Sequence, residues 1–262
     1  MQVVTYSETR LVKRHRGTMP IILTSPHGGS ETPPNVNERT DAATPAGCDF
    51  VTSRDNETAT ITEAVTQKIL DLIGLSPYAV IARFHRRFID ANRSRICAFN
   101  DPDARPFYDE YHNRISSYVR QLLDQNGGRG FLFDIHGTSV IEEDPADIYL
   151  GTANGESLLP TFERRNLFMQ HGLHGLLTWA RHPTGAGGTG PVFQYRVSPA
   201  NETAIETSAV SGGFTIRNYG TSLNCVQVEL ASTVRDRGER QAFVVEDLAL
   251  SIINFVRRHA PF

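Results

Sequence analysis

With 262 residues and 39% hydrophobic side chains, the chain is long enough for one large α/β domain over residues 1–262 with a buried core. Its formal net charge of -3 and pI of about 6.3 create no overall field for nucleic acid or an anionic membrane, and neither is an expected partner. No apolar run approaches the length of a bilayer span, and the opening residues lack the apolar core of a secretory signal, so the expected location is cytoplasmic.

In chain order, the first strand-like run is 21–25, which continues into Pro26, His27, Gly28 and Gly29. A helical stripe of Ile61, Ala64, Val65, Ile69, Leu72 and Ile73 follows, opened by Ser53, Asp55 or Asn56 as a cap and stopped at Gly74. A second strand reads over 78–82. Behind it comes the cationic segment 83–93. Tyr108, Tyr111, Ile115, Val119 and Leu122 then mark a helix ending before Asn126, Gly127 and Gly128. Strands are expected at 131–135, 148–151 and 226–230, and helices over 160–179 and 239–258. The stretch 182–220, rich in Gly, Thr and Ser, has the weakest periodicity and reads as a loop or lid over a site. Strands alternating with helical stretches predict a sheet with crossover helices, hence the α/β class. Cys48, Cys97 and Cys225 are too few and too scattered for a disulfide framework or a thiolate zinc site, and their odd number is expected to mean reduced thiols, with Cys225 packing in the core.

Two of the strand-like runs lead into histidine, at His27 and His136. Open α/β sheets carry their reactive groups beyond the carboxyl ends of their strands, so both imidazoles can meet above one sheet edge, where a metal ion would hold them together. Residues i and i+2 of a strand share a face, so Asp134 is placed to orient the ring of His136. His15, His182 and His259 read as surface residues, and His171 and His174 as packing or surface. A catalytic zinc site takes three protein ligands, and two histidines with a carboxylate are a standard set. Asp55 and Glu57 are both candidates for the third ligand, and Asp55 equally suits a helix N-cap.

In the cationic segment, Arg93 beside Asn92 offers a planar fork for a substrate carboxylate, with Asp90 fixing the arginine or the loop. His85, Arg86 and Arg87 read as a solvated face. Glu229 is a lone carboxylate in an apolar strand, and burying it is costly unless it is paired or functional. It reads either as a proton shuttle at an activated water or as an ion-pair partner of Arg235 or Arg237.

The ordered set SPHGG at 25–29, Asp55 to Thr58, IDANR at 89–93, YH at 111–112, DIHG at 134–137, GT at 151–152, GGFTIRNYG at 212–220 and VQVEL at 226–230 resembles the N-formylglutamate amidohydrolase family through nearly the whole chain. The resemblance implies a single domain with a zinc-carboxypeptidase-like fold, a central mixed β-sheet flanked by helices. It implies one zinc ion held by His27, Asp55 and His136, a substrate carboxylate bound by Arg93 with Asn92 beside it, and Glu229 as general base and acid. The expected activity is hydrolysis of the C-N amide bond of a small acidic N-acyl amino acid such as N-formyl-L-glutamate. A carboxypeptidase-like or aspartoacylase-like zinc deacylase, and a non-catalytic ligand-binding protein on the same fold, are the alternatives.

Overall fold

Strands that are apolar on both faces need cover on both sides, and the computed structural model, which describes residues 2–262, provides it with helices. The elements run β1 (Ser7–Thr9), β2 (Val12–His15), β3 (Ile21–Ser25), α1 (Thr58–Ile73), β4 (Tyr78–Ala82), α2 (Arg95–Ala98), α3 (Arg105–Gln125), β5 (Phe131–Thr138) and β6 (Ile148–Gly151). They continue with α4 (Leu173–Trp179), β7 (His182–Pro183), β8 (Val192–Phe193), β9 (Val197–Ser198), α5 (Phe214–Tyr219), β10 (Asn224–Ala231), α6 (Ser232–Arg235) and α7 (Glu239–His259). Eight strands form one sheet in the order β1-β2-β4-β3-β5-β10-β6-β9. Its centre, β4-β3-β5-β10, is parallel, while β1, β2 and β6 join antiparallel to their inner neighbours, so the sheet is mixed as expected.

The two-residue period of the strands divides the core. Ile21, Leu23, Phe131, Phe133, Ile135, Val226, Val228 and Leu230 face α1 and α7, which pack against each other. Ile22, Leu132 and Cys225 face the other way, onto the aromatic stripe of α3 formed by Tyr108, Tyr111 and Tyr118. On that second face, toward the carboxyl ends of β5 and β10, the side chains become polar at Asp134, His136, Gln227 and Glu229. There the core gives way to the site.

Several expectations are revised. The helix expected over 160–179 is a short 3-10 turn, Arg164–Leu167, followed by α4 alone. Between them lies Gly172, where a Cβ would sit 2.4 Å from the Asn166 carbonyl oxygen, so the chain folds back on itself instead of continuing the helix. Cys48 and Cys97, expected as reduced thiols, form a disulfide with Cα atoms 5.5 Å apart, and Cys225 remains a buried free thiol. His182, expected at the surface, stacks on Phe243 at 4.0 Å between ring centroids and meets Asp247 Oδ2 at 2.5 Å. Tyr195 donates to the same carboxylate oxygen at 2.8 Å, so the β7-β8 hairpin is pinned to α7. His15 also has partners, with its ring nitrogens 2.8 Å from the Thr5 carbonyl and from Ser76 Oγ. Among the described residues no helix is long and apolar enough to cross a membrane.

Candidate metal centre

Because β3, β5 and β10 run parallel, their carboxyl ends open on one edge, and in the register of β5 with β10 Glu229 lies opposite His136. His27 leaves this edge two residues after β3. It is followed by Gly28, whose missing side chain lets the loop lie against the start of α1: a Cβ there would stand 2.4 Å from the Ala59 amide nitrogen and 2.7 Å from Thr58 Oγ1. That approach lets the Asp55 amide donate to the His27 carbonyl at 3.0 Å, which brings the Asp55 carboxylate over the sheet edge.

Three side chains converge there. Asp55 Oδ2 lies 3.4 Å from His27 Nδ1 and 3.1 Å from His136 Nδ1, and the two rings meet edge to face with centroids 4.9 Å apart. One ligand atom from each residue falls within 4.8 Å of the others, and all three residues are buried. The outer nitrogens are already committed. His27 Nε2 meets Asp90 Oδ1 at 2.7 Å, and His136 Nε2 meets Asp134 Oδ2 at 2.9 Å. Carboxylates only accept, so this network assigns the proton of each ring to Nε2 and turns both Nδ1 lone pairs inward. His27 Nδ1 is then a buried nitrogen with no hydrogen-bond partner. Two inward lone pairs and a carboxylate form an acceptor-only pocket, which needs a cation or a proton in its middle. The donor set of two imidazoles and one carboxylate fits a divalent metal ion such as zinc.

The surrounding groups keep these roles fixed. Asp90 also accepts from Arg86 Nε at 2.9 Å and from the Asn92 amide at 3.1 Å, while Asp134 accepts from Thr24 Oγ1 at 2.5 Å. Burial alone would raise the carboxyls of Asp55, Asp90 and Asp134, but the neighbouring imidazoles outweigh it and hold all three below the usual carboxylate range. Burial likewise opposes charge on His136, and Asp134 with Asp55 overcomes it, raising the imidazole well above its ordinary value, so the proton that this acceptor pocket takes up lies on His136 Nδ1, 3.1 Å from Asp55 Oδ2, where a metal ion would replace it.

The carboxylates that the sequence left as alternatives separate clearly. Asp55 offers no side-chain cap to α1; its backbone carbonyl accepts from Thr58 Oγ1 at 2.8 Å while its side chain faces the histidines. Glu57 lies outside the group, with Oε1 3.2 Å from Arg237 Nε. Glu229 forms no ion pair among the described residues. Its Oε1 accepts from Gln227 Nε2 at 3.0 Å, and burial pushes its carboxyl up to about 7, with Asp55 and Asp134 adding to the rise. Arg235, offered as its partner, instead donates to the carbonyls of Leu230, Asn56 and Thr138 at 2.7–3.2 Å.

The group opens into a cavity of about 390 Å³ lined also by Glu229, Arg86, Asn92 and Arg93. Arg86, read as part of a solvated face, is buried, held by Asp90 and 3.9 Å from Asp55 Oδ1. Its spacing of four residues from Asp90 was the available signal. Arg93 donates to the Asn92 carbonyl at 3.1 Å, while its Nε is buried without a partner. Asn92 has its amide oxygen taken by the Thr215 amide at 2.8 Å, and its Nδ2 lies 3.2 Å from His136 Nε2. The segment 91–93 is held from behind, since Tyr108 donates to the Arg93 carbonyl at 2.8 Å and His112 Nε2 meets the Ala91 carbonyl at 3.0 Å. From the region 182–220, the residues 208–213 reach the cavity wall, whereas the β7-β8 hairpin packs on α7.

Fold and site together define a mixed α/β chain with a buried centre of two histidines and one carboxylate at the carboxyl edge of its sheet. The structure is similar to that of an N-formylglutamate amidohydrolase from Ralstonia eutropha JMP134, with a TM-score of 0.64 at 16% identity over 96% of this chain and 100% of that one. It is also similar to a gene product of Agrobacterium tumefaciens, with a TM-score of 0.58 at 13% identity over 96% of each chain. These likenesses establish the fold. No protein-family model and no curated protein matches the sequence.

Proposed function

We propose that the chain is a metal-dependent hydrolase of the C-N amide bond in N-acyl amino acids, the class to which N-formyl-L-glutamate, the compound the sequence resemblance points to, belongs. The observation that carries this reading is the acceptor-only pocket of His27, Asp55 and His136 beside an unpaired buried glutamate. The fold shared with the N-formylglutamate amidohydrolase from Ralstonia eutropha JMP134 supports it. His27 and His136 through Nδ1, and Asp55 through its carboxylate, would hold a zinc ion. Bound there, such an ion polarises the acyl carbonyl and acidifies water toward a pKa of ~7.

The remaining work falls to side chains. Glu229 accepts the proton of the attacking water and delivers it to the departing nitrogen, so that a C-O bond forms, the C-N bond breaks and the carboxylate is regenerated. Its burial suits it to a proton that must be held and then released near neutral pH. Arg93 binds the substrate carboxylate through a guanidinium that is only loosely engaged in the free protein, and Asn92 forms the wall beside it. Asp90 and Asp134 keep the two imidazoles in the tautomer the site requires.

The test is to strip metal from the purified protein with a chelator, restore zinc, and screen formylated and acetylated amino acids and dipeptides for released amine. Release from an N-acyl amino acid that disappears with the metal and returns with it is the expected result. A zinc-loaded protein that releases amine from none of these compounds would leave the ligand-binding alternative in its place.

A further inference from the structure

Amide hydrolysis as proposed above occupies most of the charge in the cavity, and what is left over describes the substrate. Besides the histidines, five charged side chains line the space: Asp49, Asp55, Arg86, Arg93 and Glu229. Asp55 belongs to the metal group and Glu229 to proton transfer. Arg86 is bound to Asp90 at 2.9 Å and stands 3.9 Å from Asp55. Arg93 and Asp49 remain, one cation and one anion.

These two touch only loosely. Arg93 Nη2 and Asp49 Oδ2 are 3.5 Å apart, at the outer limit of a hydrogen bond, and the Asp49 side chain is 83% exposed. An exposed pair of this kind is readily displaced, so Arg93 can turn to a substrate carboxylate and leave Asp49 free beside it. Asp49 is nevertheless held at the rim. Its neighbour Cys48 is cross-linked to Cys97 in α2, only four residues beyond Arg93, so the disulfide ties the loop that carries the carboxylate to the segment that carries the guanidinium. Val51 from the same loop and Val210 also line the cavity and add apolar surface. A substrate with its carboxylate on Arg93 thus meets a negative charge next to it, in a cavity that also offers apolar contacts.

We propose that Asp49 is a specificity-determining residue that selects N-acyl amino acids carrying a side-chain ammonium or guanidinium, with the substrate carboxylate on Arg93, the cation on Asp49 and the methylene stem against Val51 and Val210. A second carboxylate in the side chain, as in N-formyl-L-glutamate, is repelled by the same residue. The inference rests on the hydrolytic reading and names its substrate class.

The experiment compares kcat/KM for the N-formyl derivatives of L-lysine, L-norleucine and L-glutamate in the zinc-loaded wild type, Asp49→Asn and Asp49→Lys. Norleucine matches the lysine stem without its charge, and because the readout is a ratio between substrates, any general loss of activity cancels. The wild type is expected to favour lysine over norleucine by about two- to fivefold, with glutamate below both. Asp49→Asn should bring the lysine-to-norleucine ratio near one, and Asp49→Lys should move the preference to glutamate. A lysine-to-norleucine ratio that is the same in wild type and Asp49→Asn, with turnover retained, overturns the role of Asp49 and leaves the hydrolytic reading intact. Absence of turnover with all three substrates in the wild type overturns the lysine selectivity, and the hydrolytic reading falls with it when acetylated amino acids and dipeptides also release no amine.

Discussion

At the scale of single residues, the site is governed by proton bookkeeping on two imidazoles. Asp90 and Asp134 each accept a hydrogen bond from the Nε2–H of one ring, which turns both Nδ1 atoms toward Asp55. Glu229 stands apart from that group and, among the described residues, is hydrogen-bonded to Gln227, so the proposed metal binding and proton transfer fall to different side chains. Glu229→Gln keeps the shape of the side chain but cannot accept a proton from water. Zinc content should stay unchanged while kcat falls by roughly 10²–10⁴. Loss of zinc in that variant would make Glu229 a ligand, and near-normal turnover would make it structural. His27, His136 and Glu229 were legible in the sequence because each belongs to an apolar strand run that ends in, or contains, an ionisable group. Asp90 and Arg86 were harder to read. Their pairing depends on the turn at 85–90 that carries both beneath His27, and no periodic pattern announces such a turn.

At the scale of elements, the candidate site exists because β3, β5 and β10 are parallel neighbours and α1 begins over their carboxyl ends. The strands β3, β4, β5, β6 and β10 and the helices α1, α3 and α7 could be read from their apolar runs and periodicity, since each has one face or both faces buried, whereas β1, β2, β7, β8 and β9, of two to four residues, carry too short an apolar run to be read. The segment 160–179 misled because Leu and Phe residues recur there at helical spacing while Gly172 packs against backbone, a close approach that depends on tertiary contact. His112 on α3 supports the loop of Asn92 and Arg93 from below. Burial drives its imidazole down to about 4, whereas in the unfolded chain it protonates near the ordinary value of about 6.5. Its contribution to stability is therefore complete above pH ~6.5 and is lost as the pH falls toward ~4, at a slope of up to about 1.4 kcal/mol per pH unit. Urea unfolding of the metal-free protein across this range should show that slope, and His112→Asn should reduce it. Identical slopes in the two proteins would show that His112 does not titrate on unfolding.

At the scale of the whole molecule, the class was legible and the strand order was not. Alternating strands and helices imply a covered sheet, but the order β1-β2-β4-β3-β5-β10-β6-β9 depends on pairings between distant segments. The disulfide was hidden for the same reason. Cys48 and Cys97 are 49 positions apart, and an odd number of cysteines does not prevent two from meeting while the third is buried in the core. The net charge of -3 also says nothing of the cavity, where carboxylates, imidazoles and two arginines are gathered around one sheet edge. The central claim is that His27, Asp55 and His136 form a metal site, and the most direct measurement is zinc bound per chain in the wild type, His27→Ala, His136→Ala, Asp55→Asn and Glu57→Gln, each checked for folding by circular dichroism. The account predicts about one ion in the wild type and in Glu57→Gln, with substantial loss in the other three. Full occupancy in both histidine variants, or loss of zinc in Glu57→Gln with retention in Asp55→Asn, would contradict it.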